Sequence, residues 1–203
     1  MKVIPTILEK NWSEAERKIE IVKDRVTWIQ IDVIDGEFLP GKTFELELVK
    51  KVFEESGNLL DIHLMVKEPI NWINKCEFAG ASRIIGQVEM MTDREEFVKT
   101  VKDLGMEAGL AFDIETEIGE IPEETDVVLI MGRKAGFEGG EFKKEVWEKI
   151  KKTKEGGWQV GVDGGVDSDN IERLKETGVA MVYCGGAIFS EGKIEDNLKE
   201  LQR

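Results

Sequence analysis

The chain has 203 residues, 41% of them hydrophobic and 34% charged, which is the composition of a folded globular protein with enough chain for a large core. Its net charge of -14 argues against a nucleic-acid partner, which needs a basic footprint, and against docking on an anionic membrane. No apolar run approaches the ~20 residues that span a bilayer, and Met1-Lys2-Val3-Ile4-Pro5 has no signal-peptide core, so a cytoplasmic protein with Cys76 and Cys184 reduced is expected.

From end to end, short apolar runs alternate with longer Lys/Glu-rich amphipathic segments. The first strand is predicted over 2–8, followed by a helix over 13–24 with Ile19, Ile21 and Val22 on one side. Strands over 26–33, 58–65 and 82–86 come next. A helix over 92–104 starts at a Thr92-Asp93 cap and carries Phe97, Val98, Val101 and Leu104. Strands over 107–112 and 126–131 precede a helix over 141–154 with Phe142, Val146, Trp147 and Ile150. A strand over 158–163, a helix over 168–177 and a strand over 180–184 complete the pattern. The strands are rich in Val and Ile and mostly lack polar alternation, as parallel strands covered on both faces do. There is no linker or composition break, so a single domain over 1–203 is expected. Repeated strand–helix units at this length predict a (β/α)8 TIM barrel. The competing doubly wound sheet is weakened because no Gly-x-Gly-x-x-Gly follows the first strand and no phosphate-loop pattern occurs.

Three of these apolar strands carry polar groups at their ends: Gln30 and Asp32, Asp61 and His63, and Asp163. An apolar strand ending in such groups is costly unless they meet partners. In a barrel they would meet at the mouth formed by the strand ends. Residues i and i+2 share a face, so Gln30 and Asp32 point together, and His63 and Asp163 can enter the same space. Two carboxylates, an imidazole and an amide can hold a divalent cation. Two carboxylates can also trade a proton across a substrate, one as base and one as acid. Each residue taken alone has an ordinary explanation: a turn or cap for a strand-end Asp, a hydrogen-bonded core group for the lone His. Glycine clusters follow strands six to eight: Gly136 with Gly139 and Gly140, Gly164-Gly165, and Gly185-Gly186. Glycine lets backbone N–H groups approach an anion, and these loops are the usual phosphate cradle of the barrel. Met65 and Met131 end strands three and six, where the default role is core filling and the alternative is an apolar floor that excludes water.

With these residues in view the chain resembles ribulose-phosphate 3-epimerases over nearly its whole length. The matching runs are Pro5-Thr6-Ile7-Leu8, Trp28 to Gly36, Phe38 through Pro40 to Thr43-Phe44, and Asp61-Ile62-His63-Leu64-Met65-Val66. Met131, Gly136-Phe137, Gly139, Val162-Asp163-Gly164-Gly165 and Gly185 through Ala187-Ile188-Phe189 continue the match. The resemblance implies a phosphate-binding TIM barrel of pentose phosphate metabolism that inverts carbon 3 of a pentulose 5-phosphate. It implies Asp32 and Asp163 as the acid–base pair, acting through an enediolate. It also implies one divalent metal ion (Zn, Fe, Mn or Mg) on Asp32, His63 and Asp163. Thr6, Met65 and Met131 would line the substrate, and Gly136, Gly139, Gly164, Gly165, Gly185 and Gly186 would hold its phosphate. The partner implied is a small sugar phosphate, and a homo-oligomer is expected by resemblance alone.

Departures from the family pattern concentrate at the site. Gln30 stands where the family has a metal-ligand histidine, Gln87 where it has a strand-four histidine, and Glu37 where it has a third histidine. Thr6 replaces a serine and Ile34 a methionine. In the sixth loop Ala135, Glu138 and Gly140 replace a proline, a glycine and a glutamine, and Gly186 replaces a serine further on. An amide oxygen is a weaker ligand than imidazole for a zinc-like ion, so Gln30 favours a harder metal, lower affinity or no metal. Glu138 would repel a phosphate if aimed at it, and Arg133 and Lys134 in the same loop could offset that. Two alternatives follow from these changes: an epimerase for another ketose phosphate such as a hexulose 6-phosphate, and a non-catalytic sugar-phosphate-binding barrel. A decarboxylase of the same superfamily is disfavoured because no Asp-x-Lys-x-x-Asp pattern ends a strand.

Overall fold

The computed structural model describes residues 1–136, 141–190 and 193–203. Its strands are β1 (Lys2–Ile7), β2 (Trp28–Ile34), β3 (Leu59–Met65), β4 (Ala81–Gln87), β5 (Glu107–Phe112), β6 (Val127–Met131), β7 (Val160–Asp163) and β8 (Met181–Cys184). They pair in parallel in sequence order, and β8 pairs with β1 to close a (β/α)8 barrel. The helices are α1 (Trp12–Val22), α2 (Val49–Ser56), α3 (Ile73–Ala79), α4 (Arg94–Asp103), α5 (Glu145–Glu155), α6 (Ile171–Thr177), α7 (Gly186–Phe189) and α8 (Ile194–Gln202). Side chains start two of them: Asn11 accepts from the Glu14 N–H at 3.1 Å, and Asp93 accepts from the Glu96 N–H at 2.9 Å.

The strand alternation sorts the core into two layers. Ile29, Ile31 and Val33 of β2 and Leu60, Ile62 and Leu64 of β3 belong to the outer layer, which they share with Ile19, Phe53, Phe97 and Ile150 of the surrounding helices. The inner layer holds Ile4, Trp28, Met65, Ile85, Leu129, Met131, Met181 and Tyr183. This two-sided burial explains the continuous apolar runs.

One expected unit differs. β5 and β6 are joined by residues 113–126, which form no helix. The segment contains Gly119 and Pro122, which disfavour a helix although Ile114, Ile118 and Ile121 recur at helical spacing. Lys149 of α5 holds it instead, donating to the carbonyls of Asp113 at 2.8 Å and Thr116 at 2.5 Å. α2, α3, α7 and α8 are helices that the hydrophobic spacing does not reveal.

Deep in the barrel lies a buried ionic network. Arg83 Nη1 donates to Asp61 Oδ2 at 3.0 Å and to the Tyr183 hydroxyl at 3.1 Å, and that hydroxyl donates to Asp61 Oδ2 at 2.8 Å. The guanidinium also pairs with Glu107 and lies 4.2 Å from the Trp28 ring centroid. Asp61 is fully buried, and burial raises its pKa despite the opposing Arg83 charge. Arg83→Ala would leave that buried carboxyl with no cationic partner and only the Tyr183 hydroxyl, and an expected loss of about 3–5 kcal/mol should be read by urea denaturation; a loss below about 1 kcal/mol would show that the network contributes little.

Candidate active site

β2 and β3 run in register with Gln30 opposite Asp61 and Asp32 opposite His63. β1 sets Thr6 opposite Gln30, and β6 sets Met131 opposite Asp163. The inward-facing alternation therefore carries polar side chains of β1, β2, β3 and β7 toward one mouth. A cavity of about 540 Å³ opens there, lined by Thr6, Asp32, Met65, Met131, Asp163, Gly136, Gly164, Gly165, Gly185 and Gly186. Gln30 and His63 are fully buried beside it. Phe137, Glu138, Gly139 and Gly140 lie outside the described residues.

His63 is the centre of the constellation. Its Nδ1 lies 3.0 Å from Asp32 Oδ1 and 3.8 Å from Asp163 Oδ2. Its Nε2 lies 3.1 Å from Gln87 Oε1. In this orientation of Gln87 both ring nitrogens face oxygens, while Gln87 Nε2, like Gln30 Nε2, is buried without a hydrogen-bond partner. Burial pushes the His63 pKa down, but the hydrogen bond and charge of Asp32 and the charge of Asp163 outweigh it, raising the pKa from 6.5 to about 9. Burial, followed by the Asp32 charge, pushes Asp163 up to about 7. Thr6 Oγ1 lies 2.9 Å from Gln30 Oε1 and 3.0 Å from Asp32 Oδ2, so the hydroxyl proton serves these two acceptors.

Asp32, His63 and Asp163 each offer a ligand atom, all within 4.8 Å of one another, which suits a divalent ion. Gln30 completes the donor set in a specific way. Its Nε2 is buried without a hydrogen-bond partner while Oε1 is engaged by Thr6. Turning the amide over lets Nε2 donate to Thr6 and frees Oε1 as a neutral ligand. Two carboxylates, one imidazole and an amide oxygen form a harder set than one with two imidazoles.

Loop contacts frame the mouth. Asp35 Oδ1 accepts from the N–H groups of Glu37 and Phe38, and Oδ2 accepts from the Lys67 N–H at 2.8 Å, tying the β2 and β3 loops together. Gly136 has φ 70°, a left-handed conformation that favours glycine, and a Cβ there would come within 1.8 Å of Leu39 Cδ1 and force that side chain to move. Asp113 Oδ2 accepts from the Ala135 N–H at 3.1 Å and anchors the start of the sixth loop. Sequence reasoning does not find Gln87 as the partner of His63. Its signal is the β4 alternation Arg83, Ile85, Gln87, which places the amide on the inner face.

Polar groups gathered at the carboxyl ends of barrel strands are where enzymes of this architecture do their chemistry. Residues 2–189 match the sequence model of the Ribulose-phosphate 3 epimerase family. The ribulose-phosphate 3-epimerase of Chlamydia muridarum is 31% identical over 198 residues, covering 92% of this chain and 85% of that one. The Bacillus subtilis protein of the same name is 28% identical over 213 residues, covering 100% of this chain and 98% of its own. Among solved structures, 3-hexulose-6-phosphate synthase from Salmonella typhimurium superposes with TM-score 0.76 at 15% identity, covering 99% of this chain and 96% of that one. Phosphoribosyl anthranilate isomerase from Thermococcus kodakaraensis gives TM-score 0.69 at 16% identity, with coverage of 100% and 99%. At those identities the structural likeness establishes the barrel alone. The chain belongs to the ribulose-phosphate 3-epimerase family and is an isomerase-class enzyme.

The raised pKa values have a sign. Folded His63 holds its proton more tightly than the unfolded chain does, so its contribution to stability is complete below pH 6.5 and is lost as pH rises through about 9. Asp163 acts in the same sense between 3.8 and about 7. A divalent ion on Nδ1 must displace the proton there. Metal affinity should therefore rise about tenfold per pH unit for each proton displaced, up to about pH 9. Calorimetry at pH 8 in buffers of different ionisation enthalpy should show about one proton released per ion bound; heats independent of buffer would contradict this charge state.

Proposed function

We propose that the cavity interconverts D-ribulose 5-phosphate and D-xylulose 5-phosphate by inverting carbon 3. The observation that carries this reading is the pair of carboxylates, from β2 and β7, that meet one imidazole nitrogen at 3.0 and 3.8 Å. Asp163, raised to about 7 by burial and the Asp32 charge, is the carboxyl that holds a proton near neutrality. That assigns the base to Asp32 in one direction. Asp32 takes the carbon-3 proton, leaving an enediolate, and Asp163 delivers its own proton to the opposite face. The reverse reaction exchanges the roles, so proton and charge balance over the cycle.

His63 orients Asp32 through the 3.0 Å hydrogen bond and keeps positive charge between the two carboxylates. Thr6 fixes the other Asp32 oxygen. A divalent ion held by Asp32, His63 and Asp163, with Gln30 as neutral fourth donor, would supply Lewis-acid charge for the substrate's carbonyl and enediolate oxygens. Met65 and Met131 give the reacting centre an apolar lining that limits access of water. Backbone N–H groups in the loops of Gly136, Gly164, Gly165, Gly185 and Gly186 hold the phosphate.

Carbon-3 deuterium incorporation into D-ribulose 5-phosphate in D2O, followed by NMR with and without added Mn2+, Mg2+, Zn2+ or Fe2+, tests the proposal. Exchange is expected, with a loss of about 10²- to 10⁴-fold in Asp163→Asn and in Asp32→Asn. Absence of exchange by the wild-type protein with every ion would overturn it. Faster exchange on a hexulose 6-phosphate would move the assignment to that sugar.

A further inference from the structure

Arg133 follows Met131, the last residue of β6, by two positions and lines the cavity. Its stem crosses Gly164: a Cβ on that glycine would lie 3.0 Å from Arg133 Cγ, and Gly164 has φ 88°. The neighbouring Gly132 is pinned to β7 by its N–H, which donates to the Asp163 carbonyl at 2.5 Å. A Cβ on Gly132 would sit 2.2 Å from the Gly164 carbonyl oxygen, so this close approach excludes any side chain there. The sixth and seventh loops are thus packed backbone to backbone, and the long side chain laid across that seam is Arg133.

The guanidinium makes no hydrogen bond or ion pair among the described residues. Lys18, which also lines the cavity, is paired with Glu9 at 2.6 Å. A partly buried cation that lines a cavity beside glycine loops, with no carboxylate partner among the described residues, is placed to meet an anionic ligand. Its charge also reaches Asp163 and acts to lower that carboxyl's pKa, which places it within electrostatic range of the reacting end.

We propose that Arg133 is a substrate-binding residue that grips the phosphomonoester group of the ketose phosphate, adding a fixed charge to the backbone N–H groups of the glycine loops. The proposal rests on the sugar-phosphate reading of the cavity. Glycine amides alone offer hydrogen bonds without net charge, whereas a guanidinium offers paired donors matched to phosphate oxygens. It also supplies positive charge in a loop whose sequence includes Glu138. The residue thereby sets preference for phosphorylated over unphosphorylated sugars.

The test uses D-ribitol 5-phosphate, a polyol phosphate that cannot enolise, with ribitol as the unphosphorylated control. Calorimetric titration of the wild-type protein, Arg133→Gln and Arg133→Lys reads binding without chemistry. Arg133→Gln should weaken ribitol 5-phosphate binding by about 10- to 100-fold, with partial recovery in Arg133→Lys. In turnover the loss should fall on KM more than on kcat, and thermal melts should match the wild type because Arg133 has no partner among the described residues. Equal binding by wild type and Arg133→Gln would overturn the proposal, as would a wild-type protein with no preference for ribitol 5-phosphate over ribitol. Should carbon-3 exchange fail while the binding loss is seen, the epimerase assignment falls and the role of Arg133 stands.

Discussion

Two carboxylates and an imidazole share a space from which water is nearly excluded, and the barrel must hold them there. Asp32 and Asp163 are 5% and 6% exposed and His63 is fully buried. Two buried anions at this separation repel strongly, and each loses its hydration. The positive charge at Nδ1 of His63 makes the arrangement tenable, because it faces both carboxylates at once. A proton and a divalent cation are alternative occupants of that position. The same group that stabilises the site therefore governs which ionic state carries out the chemistry.

Strand β3 carries the greatest burden in placing this charge. Asp61 and His63 alternate with Ile62 and Leu64, so one face of the strand is ionic and the other is packed against helices. A slip of one residue would send both polar groups outward and the apolar groups inward. The register is held from two directions: Asp61 is locked by Arg83 and Tyr183, and His63 by Asp32 and Gln87. The buried network below the cavity is thus more than filling, because it fixes the strand that presents the imidazole.

The strands are legible because each is apolar on both faces, and the single-residue polar exceptions mark the inner face. The i, i+2 rule pairs Gln30 with Asp32, and the structure brings ligand atoms of Asp32, His63 and Asp163 from three strands within 4.8 Å of one another. The helices are less legible. α2 and α3 are 8 and 7 residues long and follow 3-10 turns, so neither offers enough turns for periodicity to stand out. The missing helix after β5 is hidden because its replacement is held by a lysine from α5, a contact 33 or more residues away in sequence. Gln87 and Arg133 stand in the sequence as a departure and a loop residue. Their positions depend on side-chain reach across strands, which local spacing does not encode.

Amides at positions 30 and 87 shape the charge of the site. Gln30 and Gln87 carry no proton that titrates near neutrality, so His63 is the only imidazole left to answer the two aspartates. Gln87 Oε1 lies 3.1 Å from His63 Nε2, while Gln30 shares the Thr6 hydroxyl with Asp32. The charge on the cavity is then divided between two ends. His63 balances the carboxylates where the proton moves, and Arg133 adds positive charge at the seam between the sixth and seventh loops. A ketose phosphate has a matching asymmetry, with a dianion at one end and a neutral enolisable carbon nearer the other. On the proposed reading, its phosphate is drawn to the glycine loops and Arg133, which leaves carbon 3 between Asp32 and Asp163. Orientation then follows from charge placement as much as from shape, and it persists whether Nδ1 of His63 holds a proton or faces a metal ion.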